Sequence, residues 1–93
     1  MRIYQLINDN GCPARNQFVV EKDGKTYFQS YNTMIAEVNK DKVTLSKDWN
    51  YSNTTLKHLY IFLRQESFPI YKKNDVLKAI KNGNFEVVEE IKV

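Results

Sequence analysis

The 93-residue sequence has few of the side chains on which catalysis and disulfide cross-linking depend, with one cysteine, Cys12, and one histidine, His58. A single cysteine excludes an intrachain disulfide, which favours a reducing compartment over a secreted location. Cys12 precedes Pro13 in a predicted loop, whereas a nucleophilic thiolate is usually stabilised at a helix N-terminus or beside a cation. The sequence also shows no pair of carboxylates placed for acid–base catalysis and no glycine-rich loop of the kind that binds phosphate. We therefore expect a protein that is not an enzyme and has no catalytic residues.

The sequence also has too few of the usual ligands for a zinc site. Three or four ligands are needed, and only Cys12 and His58 belong to the preferred types, with no paired ligand spacing. Carboxylates such as Asp9, Asp48 or Glu66 would have to complete the set. We expect no metal and no cofactor, and a small metalloprotein that uses Cys12 and His58 remains a minor alternative.

No apolar run approaches the length of about 20 residues that a membrane span requires, and residues 1–9 are too polar for a signal peptide. The 14 Lys and Arg exceed the 11 Asp and Glu by a net charge of +3, and both signs alternate along the chain. Nucleic-acid-binding proteins usually carry a basic stripe with exposed aromatic side chains. The nearest approach to such a stripe is Lys72, Lys73, Lys78 and Lys81. We expect a soluble, intracellular protein that does not bind membranes.

Aromatic residues are abundant, with six Tyr, five Phe and one Trp. Each can bury about 150–250 Å², so one core can form without disulfides. A chain of this length buries only about 60–65% of its unfolded surface, which leaves little room for an enclosed substrate cavity. We expect a single domain over residues 1–93 that acts through its surface.

Short β-rich runs separated by turn residues predict six strands, and Asp23-Gly24 between two of them is a strong hairpin signal because both turn positions need positive φ. The predicted strands are Ile3–Ile7, Phe18–Val20, Lys25–Tyr31, Met34–Val38, Lys42–Leu45 and Phe85–Ile91. In the last strand we expect Phe85, Val87 and Ile91 on the inner side. Pro13 is expected to keep the first connection out of regular structure.

Two helices follow the first five strands. In Ser52–Gln65 the apolar residues recur at helical spacing and predict one buried stripe, which consists of Leu56, Leu59, Tyr60 and Leu63. Ser52 or Asn53 can cap the first turn. A short helix over Asp75–Asn82 is predicted with Asn74 as its cap and Gly83 just past its end. The predicted fold is α+β, with an antiparallel sheet of about five to six strands and two helices packed on one face.

Strand alternation places Tyr27, Gln29 and Tyr31 on one side of the sheet and Phe28 and Ser30 on the other. If the helices cover the Tyr-Gln-Tyr row, the row is structural. If the row faces solvent, it forms an aromatic platform suited to protein contacts or stacked bases.

Several segments together resemble a family of small uncharacterised domains of bacteriophages and mobile elements of low-GC bacteria. These segments are Asn16-Gln17-Phe18-Val19, Tyr27-Phe28-Gln29-Ser30-Tyr31, Ile35-Ala36, Trp49-Asn50-Tyr51-Ser52, Thr54-Thr55, Lys57-His58 and Lys78-Ala79-Ile80-Lys81-Asn82-Gly83-Asn84-Phe85. The resemblance extends from Asn16 to Val88 and brings no assigned activity. It implies an accessory protein of a phage or prophage in the host bacterial cytoplasm, and its most concrete form is an anti-CRISPR-like inhibitor that binds a host defence protein such as a CRISPR effector.

The expected partner-binding residues lie on the first helix and in the following segment, where Arg64 to Lys72 is longer and more aromatic than in the family pattern. They are Tyr60, Ile61, Phe62, Phe68, Tyr71, Lys72 and Lys73. For each aromatic residue, burial in the core is an equally valid interpretation. The main alternative function is a small nucleic-acid-binding regulatory module, and a structural component of the phage particle is a third. The protein is expected to be a monomer or a small homo-oligomer.

Overall fold

The computed structural model describes residues 1–93 and contains one six-stranded sheet and two helices, which confirms the predicted α+β fold. The elements are β1 (Arg2–Ile7), β2 (Pro13–Lys22), β3 (Lys25–Ser30), β4 (Thr33–Asn39), β5 (Lys42–Ser46), α1 (Asn53–Gln65), α2 (Lys73–Lys81) and β6 (Phe85–Val88). The strands lie side by side in chain order. The first five are antiparallel, and β6 is parallel to β5 because both helices lie in the connection between them. Neither helix is long and apolar enough to cross a membrane.

Tight turns determine the antiparallel part of the sheet. Asp23 and Gly24 both have positive φ, 54° and 78°, and join β2 to β3 as the Asp-Gly pair predicts. Lys40, with φ 59°, lies in the two-residue turn between β4 and β5. Positive φ at these positions matches the right-handed twist of the flanking strands. The prediction for Pro13 is wrong, because Pro13 is the first residue of β2. Proline has no backbone N–H, and the first position of a strand tolerates this loss of a donor.

The helix α1 packs its apolar residues on the sheet. Its predicted cap is confirmed, because the Ser52 hydroxyl accepts a hydrogen bond from the backbone N–H of Thr55 at 3.1 Å. The Phe62 ring stacks on Phe28 of β3 with centroids 5.5 Å apart. The buried residues of α1 extend beyond the predicted stripe and are Thr55, Leu56, Leu59, Ile61, Phe62 and Leu63. The helix therefore buries a wider face than its leucine spacing alone indicates.

The start of α2 corrects the prediction, whereas its end confirms it. The helix begins at Lys73 with Lys72 as the cap residue, and not at Asp75 with Asn74 as the cap. The reason is that Asp75 acts from inside the first turn, where its carboxylate accepts a hydrogen bond from the backbone N–H of Lys72 at 3.2 Å. At the other end Gly83 has φ 81°, as its place after the helix predicts.

The end of the chain also differs from the prediction. The last strand stops at Val88, and Val87 is 41% exposed although its neighbour in β5, Leu45, is fully buried. Ile91 lies on the opposite side, where it packs with Val20 and Tyr27. The expected inner row of Phe85, Val87 and Ile91 is therefore wrong in its last member.

The Tyr-Gln-Tyr row lies on the sheet face that the helices leave uncovered, since Phe28 and Ser30 face α1. Tyr27 is nevertheless only 4% exposed, because Val20 and Ile91 cover it. Gln29 donates a hydrogen bond from its side-chain amide to the Tyr31 carbonyl at 2.7 Å, and Tyr31 is 46% exposed. The row is thus divided between a small second core and an exposed end.

Candidate functional site

The seven expected contact residues are distributed between the core and the surface. Ile61 and Phe62 are 4% and 1% exposed, so both side chains belong to the core beneath α1. Tyr60 and Phe68 are half-buried against that core. Tyr71, Lys72 and Lys73 are exposed where the chain enters α2. A contact role is thus open to the side chains around this entry point and not to the two core residues.

Arg64 organises the surface around the start of α2. One guanidinium nitrogen, Nη1, donates to the Ile70 carbonyl, and Nη2 donates to the Asp9 carboxylate, both at 2.8 Å. The guanidinium carbon lies 5.0 Å from the centroid of the Tyr71 ring, within the range of a cation–π contact. Arg64 therefore connects the β1–β2 loop, the α1–α2 connection and the exposed tyrosine.

The backbone before α2 is held by Asp75. Its carboxylate oxygen Oδ2 accepts hydrogen bonds from the backbone N–H groups of Tyr71, at 2.9 Å, and Lys72. A carboxylate in the first turn also interacts favourably with the positive end of the helix dipole. Tyr71 is therefore fixed on its backbone side by Asp75 and on its ring side by Arg64.

Tyr71 nevertheless remains 68% exposed. A large side chain that is both ordered and exposed loses little conformational freedom when a partner covers it. We call the patch formed by Tyr60, Arg64, Tyr71, Lys72 and Lys73 the α1–α2 surface.

The charge on the α1–α2 surface is positive. Lys72 and Lys73 are exposed cations, and Arg64 shares its charge with Asp9. Burial, and to a smaller extent the negative charge of Asp75, raises the pKa of the Tyr60 hydroxyl. The Tyr60 hydroxyl is protonated at neutral pH, as an ordinary tyrosine hydroxyl is, and can donate a hydrogen bond.

A groove of about 390 Å³ adjoins the α1–α2 surface. Phe68 forms part of its wall, in edge-to-face contact with Phe85 at a centroid distance of 5.9 Å. Asp41, Asp75 and Lys78 also line the groove. Asp75 borders both features, so a partner seated on the α1–α2 surface would also reach the opening of this groove.

Sequence reasoning identified Tyr60, Tyr71, Lys72 and Lys73 of the α1–α2 surface but missed Arg64, and it missed the contacts of Asp9 and Asp75 that hold this surface in place. Arg64 and Asp9 are 55 residues apart, and no local pattern indicates that they meet. Asp75 did have a local signal, because an acidic residue three positions into a helix typically accepts bonds from the preceding backbone. That signal was obscured by Asn74, a residue type that is itself a good cap.

The structure does not bring three His, Cys, Asp or Glu side chains together in a group that could hold a metal ion. Cys12 is exposed in the β1–β2 loop. The Nδ1 atom of His58 lies 2.8 Å from the Thr54 carbonyl, one turn earlier in α1, and this hydrogen bond occupies one of the two ring nitrogens.

Comparison with known proteins identifies one family. The sequence profile of a family described as a family of unknown function (DUF8033) matches residues 1–80, a range that includes all of the α1–α2 surface. No curated protein and no solved structure matches the chain.

Proposed function

The chain belongs to the family of unknown function DUF8033, and we propose that this member is a non-enzymatic binding protein that occupies a partner protein through its α1–α2 surface. The observation that carries the proposal is Tyr71, which is 68% exposed yet held by Arg64 and Asp75. Tyrosine and arginine are among the residues most enriched at the energetic centres of protein interfaces. A tyrosine stacked on an anchored arginine therefore supports a role as the centre of a contact.

The charge distribution defines the kind of partner that fits. Lys72 and Lys73 border Tyr71, and the whole chain carries a net charge of +3. Such a surface is complementary to an acidic or apolar patch. It does not imitate nucleic acid, because imitation would require a strongly negative surface.

The most concrete form of this proposal is an anti-CRISPR-like accessory protein of a phage or prophage. In this form the chain acts in the host bacterial cytoplasm and blocks a defence protein, such as a CRISPR effector, by covering its surface or preventing a domain movement. The support for this form is the resemblance to small phage and mobile-element domains, which is an argument from analogy. The support for a protein partner comes from the α1–α2 surface itself.

The test is affinity capture of the tagged protein from the lysate of a CRISPR-bearing host, with nuclease treatment of a parallel sample. We expect one protein to be retained in stoichiometric amount in both samples, identified by mass spectrometry. Recovery of nucleic acid alone, lost after nuclease treatment, would overturn the proposal.

A second candidate function is a small nucleic-acid-binding regulatory module, which Lys72, Lys73 and Tyr71 favour as a combination of cations with an exposed aromatic ring. Salt separates the two functions. Phosphate contacts make affinity fall steeply between about 50 and 200 mM salt. An interface in which the Tyr71 ring packs on an apolar patch is expected to change much less over the same range.

A further inference from the structure

The two edges of the sheet differ in how well they are protected against further pairing. The edge strand β6 has four residues, contains Glu86 and is followed directly by Glu89 and Glu90. The opposite edge strand, β1, has six residues and one charged side chain, Arg2. Short length and charge are the usual devices that keep an edge strand from pairing with another chain. The β6 edge is short and charged, whereas β1 is longer and carries a single charged side chain.

The hydrogen-bonding groups along the outer side of β1 have no partner strand, because β2 is its only neighbour. Among the side chains, only Gln65 bonds to the β1 backbone, donating its amide to the Ile7 carbonyl at 2.6 Å. A six-residue strand presents a row about 20 Å long. The chemistry complementary to such a row is another extended backbone.

Apolar side chains accompany this free edge. Ile3 is 59% exposed and Ile7 is 42% exposed. Ile3 lies opposite Val20 in the register of β1 and β2, so it extends the second core of Val20, Tyr27 and Ile91 towards the edge. A strand laid against β1 would cover Ile3 as well as pair with the backbone.

We propose that β1 pairs antiparallel with β1 of a second copy of this chain, so that the two sheets join into one continuous sheet. A two-fold axis between the strands allows the same edge to supply donors and acceptors to both copies. Antiparallel pairing also brings the start of one strand beside the end of the other. Arg2, whose side chain is 74% exposed and lies 3.6 Å from Glu21 of its own chain, then approaches the loop of the second copy that contains Asp9. The Asp9 side chain is 69% exposed, and its Oδ2 atom accepts a hydrogen bond from Arg64, so the other carboxylate oxygen is the one open to Arg2. This charge complementarity between the two ends of β1 favours a second copy over an unrelated strand.

The pairing is compatible with the proposed function but does not depend on it. Arg64 and Gln65 bond to Asp9 and Ile7, which places the α1–α2 surface next to the end of β1. Because the two strands run in opposite directions, the two α1–α2 surfaces would lie at opposite ends of the strand pair. The α1–α2 surface contains no residue of β1, so the backbone pairing does not use its side chains.

The test is sedimentation velocity of the untagged full chain over about 10 µM to 1 mM, a range that detects the weak affinity of a small interface. The expected result is a mass that rises with concentration from 11.0 kDa towards twice that value. Ile3→Lys places a charge on the free edge and is expected to weaken dimerisation at least tenfold. Leu77→Lys is the matched control, because Leu77 is 46% exposed on α2, away from β1, and it is expected to dimerise as the unmodified chain does.

A mass of one chain at every concentration would overturn the proposal. So would a dimer that Ile3→Lys and Leu77→Lys affect equally. Thermal melting of both variants verifies folding, and because Ile3 is exposed its replacement is expected to leave the fold intact. Capture of a partner protein tests the α1–α2 surface separately, so either proposal can fail without the other.

Discussion

At the scale of single residues, replacement of Tyr71 is expected to affect partner binding much more than the stability of the fold. Its ring is 68% exposed, so Tyr71→Ala removes little core packing and is expected to change the free energy of unfolding by less than about 0.5 kcal/mol. We expect the same change to weaken binding of the captured partner at least tenfold, which corresponds to about 1.4 kcal/mol. Calorimetric titration measures the affinity. Tyr51→Ala is the control, because Tyr51 is 52% exposed but precedes α1, and equal losses for both variants would argue against a central role for Tyr71.

Glu66 gives a residue-level prediction for pH dependence. Burial, followed by the charge of Glu21, raises the pKa of the Glu66 carboxyl above 4.5. Glu66 also follows α1, where the negative end of the helix dipole opposes a carboxylate. The folded state therefore binds this proton more tightly than the unfolded state. The stabilisation is complete below about pH 4.5 and is lost as the pH rises through the raised value.

Glu66→Gln removes the ionisation and is expected to raise the melting temperature at about pH 7. The difference from the unmodified chain should close as the pH falls below 4.5, where the native carboxyl is protonated. Melting curves across this range provide the measurement, with Glu90→Gln at an exposed position as the control. A lower melting temperature for Glu66→Gln at neutral pH would show that the ionised carboxylate stabilises the fold.

At the scale of elements, a buried hydroxyl pair attaches the start of α1 to β3. The Thr55 and Ser30 hydroxyl oxygens are 2.9 Å apart, and both residues are 0% exposed. Thr55→Val keeps the shape of the side chain but leaves the Ser30 hydroxyl without this partner. We expect a loss of about 1–3 kcal/mol in the free energy of unfolding.

Urea denaturation measures this loss, with Thr54→Val as the matched control. Thr54 is the preceding residue of α1 and is exposed, so its replacement carries the same change in helix propensity without breaking the buried pair. If the two variants have equal stability, the hydroxyl pair does not anchor the helix.

Elements with local signals could be predicted from the sequence. The Asp23-Gly24 turn, the Ser52 cap and Gly83 after α2 depend on residues close to one another in the chain, and all three are confirmed. The position of Ile91 could not be predicted, because it depends on which sheet face remains open after both helices have packed. The parallel pairing of β6 with β5 was missed for the same reason. Which strand edge is free to pair with β6 depends on how all the other strands are arranged.

The candidate site shows the same division between local and long-range information. The exposed state of Tyr71 and the buried state of Phe62 have no distinguishing local pattern, because both are aromatic residues with apolar neighbours in the sequence, one before α2 and the other in α1. Burial is decided by the stacking of Phe62 on Phe28, 34 positions earlier in the chain. The support that Arg64 gives to Tyr71 likewise depends on Asp9 in a distant loop.

At the scale of the whole molecule, the α1–α2 surface exists only in the folded chain. The β1–β2 loop supplies Asp9, the end of α1 supplies Arg64, and the start of α2 supplies Tyr71. The opposite face of the sheet carries the small core around Tyr27, and β1 leaves one edge open. The proposed protein partner and the proposed second copy would therefore bind at different places from the one that the chain's own terminal segment occupies.

The most direct test of the central claim is hydrogen–deuterium exchange of the chain alone and in complex with the captured partner. We predict slower amide exchange across residues 68–75 in the complex, with no change at the β3–β4 turn or in residues 89–93. Unchanged exchange at residues 68–75 in a complex that survives nuclease treatment would contradict binding through the α1–α2 surface, as would protection confined to those other segments.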